Sequence, residues 1–323
     1  MTTDLLTERY SGLRAAVVGA SGFIGRRVTA HLNAAGADVL ALVRDPVAAR
    51  PNLEAEAPGA KIVGFDLLDE ARVEECLTLF RPAILFNLAG YGVDRQERDP
   101  DLALRLNVEA VRMLARVLAK ARDRHFDGTA FVHVGSALEY GRARGDLSET
   151  TTPLPFETYG RTKLAGTLGL ESEAKGLGLP ASTARLFTVF GPGEHPGRLL
   201  PTLLEGRRGD AVIPLSEGLQ RRDFTAVDDV AEGLLRLGLT HPGATGAAIN
   251  LATGTLTTVR AFAERAAKVL GIDSERLGFG RIPVRAEEME HDAVSIARLR
   301  SLTGWAPSLS IEEGVRRAAR KGG

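Results

Sequence analysis

The chain predicts an α/β fold: a doubly wound parallel sheet with helices on both faces, followed by a smaller C-terminal α/β part. Three observations carry this. Short apolar runs alternate with helical periodicities through the first half of the chain. A glycine-rich turn joins the first run to the first helical segment. With 323 residues, 44% of them hydrophobic, the chain can bury a large sheet on both sides.

Taken in order, residues 13–18 are a short apolar strand that ends at Gly19. Residues 23–35 follow a helical pattern closed by Gly36. Residues 38–43, 61–65 and 83–88 read as the second to fourth strands. Residues 102–120 read as one long helix, with Leu106, Met113 and Val117 on its apolar side. A fifth strand at 130–134, a helix at 157–175 and a sixth strand at 181–187 complete the series. Near residue 190 the texture changes, and Phe190-Gly191-Pro192-Gly193-Glu194-His195-Pro196-Gly197 reads as a boundary loop. Helices at 229–237 and 259–270 and a late strand at 248–251 follow. Residues 1–189 are therefore expected to form the sheet domain, with segments near 225–270 returning to it, and 190–323 mainly a second domain.

Lysine plus arginine and aspartate plus glutamate balance at 41 each, so charge offers no argument for nucleic acid or an anionic membrane surface. The single cysteine, Cys76, excludes an intramolecular disulfide framework and fits a reducing compartment. The N-terminus has no apolar core of signal-peptide length, and no run reaches the ~18 apolar residues of a membrane span. A cytoplasmic location is expected. No two of the six histidines have zinc-ligand spacing, so no metal is expected, and His133 reads as a core residue.

Gly19-Ala20-Ser21-Gly22-Phe23-Ile24-Gly25 lies between the first strand and the first helix, where a dinucleotide diphosphate would meet a helix N-terminus. Gly19 allows the turn, Gly22 the approach of phosphate, and Gly25 close packing of helix on strand. At the end of the second strand an acidic residue would bind a ribose 2′-hydroxyl, whereas arginine suits a 2′-phosphate. Val43 fills the acidic position and Arg44 follows, favouring NADP(H) over NAD. The alternative leaves Arg44 solvated and gives the ribose to Asp45. Asp66 follows the third strand and is placed to meet adenine. Asn87-Leu88-Ala89-Gly90 ends the fourth with small residues that leave room for cofactor.

Tyr159-Gly160-Arg161-Thr162-Lys163 places a phenol and an ammonium one helical turn apart on one face. A neighbouring cation favours phenolate, so this pair is expected to bring the tyrosine down from its ordinary pKa of about 10 and to exchange a proton with a hydroxyl or ketone.

Together these residues, with Asn107, Ser136, Arg185-Leu186-Phe187, Gly191-Pro192-Gly193, Arg222-Asp223-Phe224 and Gly304-Trp305-Ala306-Pro307, resemble the extended short-chain dehydrogenase/reductase family over essentially the whole chain. The resemblance implies a Rossmann dinucleotide-binding domain and a nucleotide-sugar substrate domain. It makes Tyr159 the general acid/base, Lys163 its partner and the holder of the nicotinamide ribose, and Ser136 a hydrogen-bond donor to the substrate oxygen. Asn107 would support a water relay to Lys163. Cofactor contacts are expected at Gly19, Ser21, Gly22, Phe23, Ile24, Gly25, Arg44, Asp66, Leu67, Leu88, Ala89, Tyr159 and Lys163. Substrate contacts are expected at Ser136, Ala137, Tyr159, Leu199, Arg222 and Arg285, and in the loop 91–99. The arginine forks suit a diphosphate. A homodimer built from the helices of Asn107 and Tyr159 is implied as well. One departure is that Thr188 and Phe190 replace the asparagine and tyrosine usual in the family's Arg-x-Phe-Asn-x-Tyr-Gly-Pro-Gly stretch.

Nucleotide-sugar dehydratases of the family carry an Asp-Glu pair directly after the catalytic hydroxyl, and Ala137-Leu138 stands there instead. The pattern Gly135-Ser136-x-x-Glu139-Tyr140-Gly141, with Arg222-Asp223-Phe224-Thr225, is most similar to the NADPH-dependent 4-keto-6-deoxy nucleotide-sugar reductases. An NAD-dependent nucleotide-sugar 4-epimerase is the alternative. A non-catalytic NADP-sensing regulator on the same fold would be expected to lack Tyr159 or Lys163, and both are present.

Overall fold

In a computed structural model, which describes residues 2–93, 96–240, 246–284, 289 and 291–321, seven parallel strands form the main sheet. They are β1 (Arg14–Val18), β2 (Asp38–Val43), β3 (Lys61–Gly64), β4 (Ile84–Asn87), β5 (Phe131–Ser136), β6 (Ala181–Leu186) and β7 (Ala247–Leu251), in the order β7-β6-β5-β4-β1-β2-β3. The chain builds outward from β1 to β3, then crosses back to β4 and builds the other way. That reversal opens a crevice between the carboxyl ends of β1 and β4, the place where ligands bind in open α/β sheets. The register there pairs Val18 with Leu42 on one side and Asn87 on the other.

The strands are buried on both faces because side chains alternate along them. On β1, Ala15 and Val17 join one core with Val28, Leu32, Phe86 and Leu234, while Ala16 and Val18 join another with Leu77, Leu85, Leu114 and Leu170. Helices Phe23–Ala34 and Val227–Gly238 cover the first face, and Glu70–Phe80, Ala110–Ala121 and Thr158–Leu177 cover the second. The edge of β7 is closed by side chains: Arg298 Nη1 donates to Ala248 O at 2.9 Å, and Glu149 Oε1 accepts from Asn250 N at 2.9 Å.

A third core lies in the C-terminal part, where Phe262 stacks on Phe224 at 4.2 Å and meets Phe190 edge-on at 5.1 Å. It fills the space between a three-stranded sheet (Leu256–Thr258, Arg221–Ala226, Thr188–Phe190) and the helices Leu199–Gly206, Val259–Leu270 and Ile311–Lys321. Buried Asp223 fastens this lobe by accepting from Thr253 N, Thr253 Oγ1, Gly254 N, Thr255 N and Thr225 Oγ1.

Most strand ends move by a residue or so from their sequence expectations. The long helix expected at 102–120 is instead three pieces: Pro100–Leu104, a π-helical turn at Arg105–Glu109, and Ala110–Ala121. Helices Thr2–Tyr10, Pro46–Glu56 and Glu70–Phe80 carry weak apolar periodicity, and Pro51 interrupts the second, so the sequence reading passed them over. Among the described residues no helix is long and apolar enough to cross a membrane, and no cluster could hold a metal.

Candidate active site

The glycine turn is built by close approach. Gly19 has φ +77°, a conformation only glycine adopts freely, and a Cβ there would lie 2.8 Å from Ala89 N. A Cβ on Gly25 would overlap the Gly19 carbonyl, which is how the helix Phe23–Ala34 seats on the turn. Gly22 is the N-cap of that helix, and no side chain satisfies its first N–H groups. Ser21 and Gly22 are exposed at the tip, and Phe23 and Ile24 are half-buried. Open N–H groups and the positive end of a helix dipole, lined by glycines where any side chain would intrude, fit the diphosphate of a dinucleotide.

Beside the turn, at the end of β2, Arg44 is exposed and ion-pairs with no described carboxylate. Asp45 is occupied: its Oδ1 accepts from Val47 N and Ala48 N, both at 3.0 Å, as the N-cap of the helix Pro46–Glu56. Asp66 is exposed just beyond β3, where Oδ1 accepts from Leu68 N at 2.9 Å, and Leu67 is buried beside it. Leu88 and Ala89 are half-buried at the end of β4, and Ala89 N donates to Asn87 Oδ1 at 3.2 Å. All these groups therefore line the carboxyl edge of the sheet around the crevice.

Ser136 is the last residue of β5 and caps the turn Ala137–Glu139, with Oγ accepting from Leu138 N at 3.2 Å. Tyr159 and Lys163 lie in the first turns of the helix Thr158–Leu177, and the Ser136 side chain favours the ionised form of the Tyr159 phenol. Lys163, 2% exposed, donates to Val134 O at 2.6 Å. Asn107 sits in the π turn, a local distortion frequent at functional sites. Its Oδ1 accepts from Tyr91 N at 2.9 Å, and its Nδ2 donates to Tyr91 O at 2.8 Å and to Thr162 Oγ1 at 2.9 Å. Gly90 stands between the two: a Cβ on it would lie 3.6 Å from Asn107 Oδ1 and 3.9 Å from Lys163 Nζ.

The electrostatics correct one expectation. Burial, and then the Glu139 carboxylate, push the Tyr159 phenol up to about 12, with the Ser136 side chain acting against them. A phenol held there is neutral at neutral pH. Burial lowers Lys163 itself to about 8, with Glu139 acting against that. His133 is buried and kept neutral by desolvation and by the Lys163 charge, with Asn87 Nδ2 hydrogen-bonded to Nδ1 at 3.2 Å, in keeping with a core role.

The remaining expected substrate residues stand apart from this cluster or outside the description. Ala137 is buried directly after Ser136. Leu199 begins the helix Leu199–Gly206, and Arg222 is half-buried in the strand Arg221–Ala226. Arg285, and residues 94 and 95 of the 91–99 loop, lie outside the described residues. The structure adds Arg198, and gives contacts to Glu139 and Arg185, which the sequence places only within motifs. Arg198, the N-cap of Leu199–Gly206, faces Tyr159 and favours its ionised form. Fully buried Glu139 pairs with Arg185 at 2.8 Å. The Ser-x-x-Glu spacing of a capping box was the available signal for Glu139.

A parallel sheet with this strand order, a glycine turn shaped for a diphosphate and a Ser-Tyr-Lys cluster across the crevice define a dinucleotide-dependent oxidoreductase of the extended short-chain type. The chain belongs to the NAD dependent epimerase/dehydratase family, whose model matches residues 15–252. It is 28% identical to a dTDP-6-deoxy-L-talose 4-dehydrogenase (NAD(P)(+)) of Kitasatospora kifunensis (94% of this chain, 93% of the relative). It is 27% identical to a UDP-glucose 4-epimerase of Mycolicibacterium smegmatis (94% and 96%) and 29% identical to a GDP-6-deoxy-D-mannose reductase of Pseudomonas aeruginosa (93% and 94%). The structure of epimerase Mth375 from Methanothermobacter thermautotrophicus superimposes with a TM-score of 0.81 at 26% identity, covering 99% of this chain and 95% of that one.

Proposed function

We propose that the protein reduces a 4-keto-6-deoxy nucleotide-sugar with NADPH. A bound reduced nicotinamide supplies the hydride. Tyr159 donates its proton to the oxygen of the carbonyl under attack, Ser136 hydrogen-bonds that oxygen and stabilises its developing charge, and buried Lys163 holds the nicotinamide ribose. The glycine turn with Ser21, Phe23 and Ile24 holds the diphosphate; Asp66, Leu67, Leu88 and Ala89 surround the remainder of the cofactor. Leu199 and Arg222 on the smaller lobe take the nucleotide. The copy number is two, joined through the helices of Asn107 and Tyr159, where Leu104 and Leu168 are exposed.

The observation that carries the reading is the division of labour at the end of β2. The Asp45 carboxylate is engaged in capping a helix, and exposed Arg44 is left for a 2′-phosphate. Ala137-Leu138 lacks the acids that dehydration needs. The reductase and 6-deoxysugar dehydrogenase among the relatives support this substrate class. The UDP-glucose 4-epimerase relative gives equal support to a second reading, an NAD-dependent nucleotide-sugar 4-epimerase. The purified protein separates them. NADPH consumption with a panel of 4-keto-6-deoxy nucleotide-sugars is expected; tightly held NAD⁺ with interconversion of 4-hydroxyl epimers would replace this reading with the second.

A further inference from the structure

Arg26 and Arg27 stand side by side near the start of the helix Phe23–Ala34, in unlike surroundings. Arg27 Nε donates to Asp228 Oδ1 at 2.8 Å, and Glu56 Oε2 lies 3.7 Å from its Nη1. Arg26 is half-buried, and its Nε is enclosed without a hydrogen-bond partner. Among the described residues no carboxylate pairs with its guanidinium. A guanidinium taken partly out of water with no anion beside it is costly, so this cation points to an anion that arrives from outside the chain.

Two elements set where that cation stands. Arg26 follows the N-cap Gly22 by four residues, so the two share one helix face, and a helical side chain leans toward its own N-terminus. That N-terminus is the end whose open N–H groups fit a diphosphate. From the other side the boundary loop lies against the guanidinium. Gly193 has φ +85°, and a Cβ on it would overlap Arg26 Nη2 and lie 3.2 Å from Cζ. Glu194, next in the chain, is turned to a different partner. Its side chain is 7% exposed, its Oε1 lies 3.5 Å from Arg198 Nε, and its Oε2 has no partner. Burial pushes this carboxyl up to about 7, with Arg198 acting against that, so the acid of the loop is only partly charged near neutrality. Arg198 in turn is the N-cap residue of Leu199–Gly206 and faces Tyr159. A short run of contacts therefore leads from the helix of the glycine turn, through Gly193 and Glu194, to the smaller lobe.

We propose that Arg26 binds the diphosphate of the dinucleotide and, through its seat on Gly193, couples cofactor binding to the boundary loop that carries Arg198 toward Tyr159. This rests on a dinucleotide occupying the glycine turn, as proposed above. Guanidinium nitrogens donate charge-assisted hydrogen bonds to phosphate oxygens. The diphosphate is common to NADH and NADPH, so Arg26 adds affinity for both and selects neither; selection stays with Arg44.

Isothermal titration of the full-length protein with NADPH, NADH and adenosine 2′-monophosphate tests the contact. Arg26→Met keeps the apolar stem and removes the charge. It is expected to weaken NADPH and NADH alike, by roughly tenfold to a hundredfold. Adenosine 2′-monophosphate, which has no diphosphate, should bind as before. A side chain that merely props the loop would instead lower the unfolding temperature of the cofactor-free protein and leave both affinities in place. Hydrogen exchange tests the coupling: saturating NADPH should slow exchange across residues 191–198 in the natural protein and not in Arg26→Met. If Arg26→Met does not fold, Arg26→Gln takes its place with the same expectations. Unchanged affinity for both dinucleotides in a folded variant overturns the contact, and so does a loss confined to NADPH. Unaltered exchange in the natural protein overturns the coupling. No sugar is needed: a protein that binds both dinucleotides through Arg26 but reduces no ketone sinks the reductase assignment alone, and one that binds neither overturns both.

Discussion

Replacing Arg44 by alanine should weaken NADPH binding and leave NADH binding unchanged. Gly19 N bonds Leu42 O at 3.1 Å, so the turn proposed to take the diphosphate abuts the end of β2, and Arg44 follows two residues later. Its guanidinium is exposed and has no ion pair among the described residues, so the substitution should not disturb folding. A hydrogen bond to a charged group is worth about 1.5–3 kcal/mol, and exposure places Arg44 in the lower part of that range. About 1.5–2 kcal/mol corresponds to a roughly 10–30-fold rise in the NADPH dissociation constant. Isothermal titration of both cofactors at low and high salt reads this directly, and the salt dependence for NADPH should flatten in the variant. The matching change, Asp45→Ala, should cost about 1 kcal/mol of stability through loss of the N-cap and leave the NADPH/NADH ratio alone. The reasoning fails if Arg44→Ala weakens both cofactors alike, or if Asp45→Ala selectively weakens NADH; the second result would return the ribose to Asp45 and favour the epimerase reading.

Tyr159→Phe should lower turnover by about two to four powers of ten while cofactor affinity, measured by titration, survives. Lys163→Met should stabilise the protein near neutral pH. Moving the lysine from 10.5 to about 8 costs its charged form about 3 kcal/mol, and loss of the bond to Val134 O takes back about 1. Because the folded value lies below the unfolded one, the unfolded chain binds more protons between pH 8 and 10.5. The penalty is thus full below that window and gone above it, and denaturant unfolding should show the variant's advantage of about 2 kcal/mol at pH 7 vanishing by pH 10.5. Asp223→Ala should destabilise by about 3 kcal/mol or more, since it strips acceptors from Thr253, Gly254, Thr255 and Thr225 at a buried position. A loss of under 1 kcal/mol in chemical denaturation would show that the loop finds other partners.

The sheet was legible because its signal is local. A buried parallel strand is an apolar run, and Arg14–Val18, Asp38–Val43 and Ala181–Leu186 stand out from their flanks without any knowledge of their neighbours. The glycine turn was legible because steric demand restricts the residue type: Gly19 and Gly25 are glycines for reasons a chain states one residue at a time. The π turn at Arg105–Glu109 was not, since it depends on Asn107 bonding Tyr91 and Thr162 across the fold, and nothing in a helical periodicity of 3.6 announces one extra residue in a turn.

The proton state of the site belongs to the same illegible class, and for a sharper reason. Spacing on a helix places Tyr159 and Lys163 on one face, but it does not say where the ammonium points or what else faces the phenol. Lys163 turns to the backbone of β5, and the charge that dominates Tyr159 comes from Glu139, twenty residues earlier and one strand away. The reversal of sign, from a phenol lowered by its neighbour to one raised by burial and a carboxylate, therefore follows from tertiary placement alone.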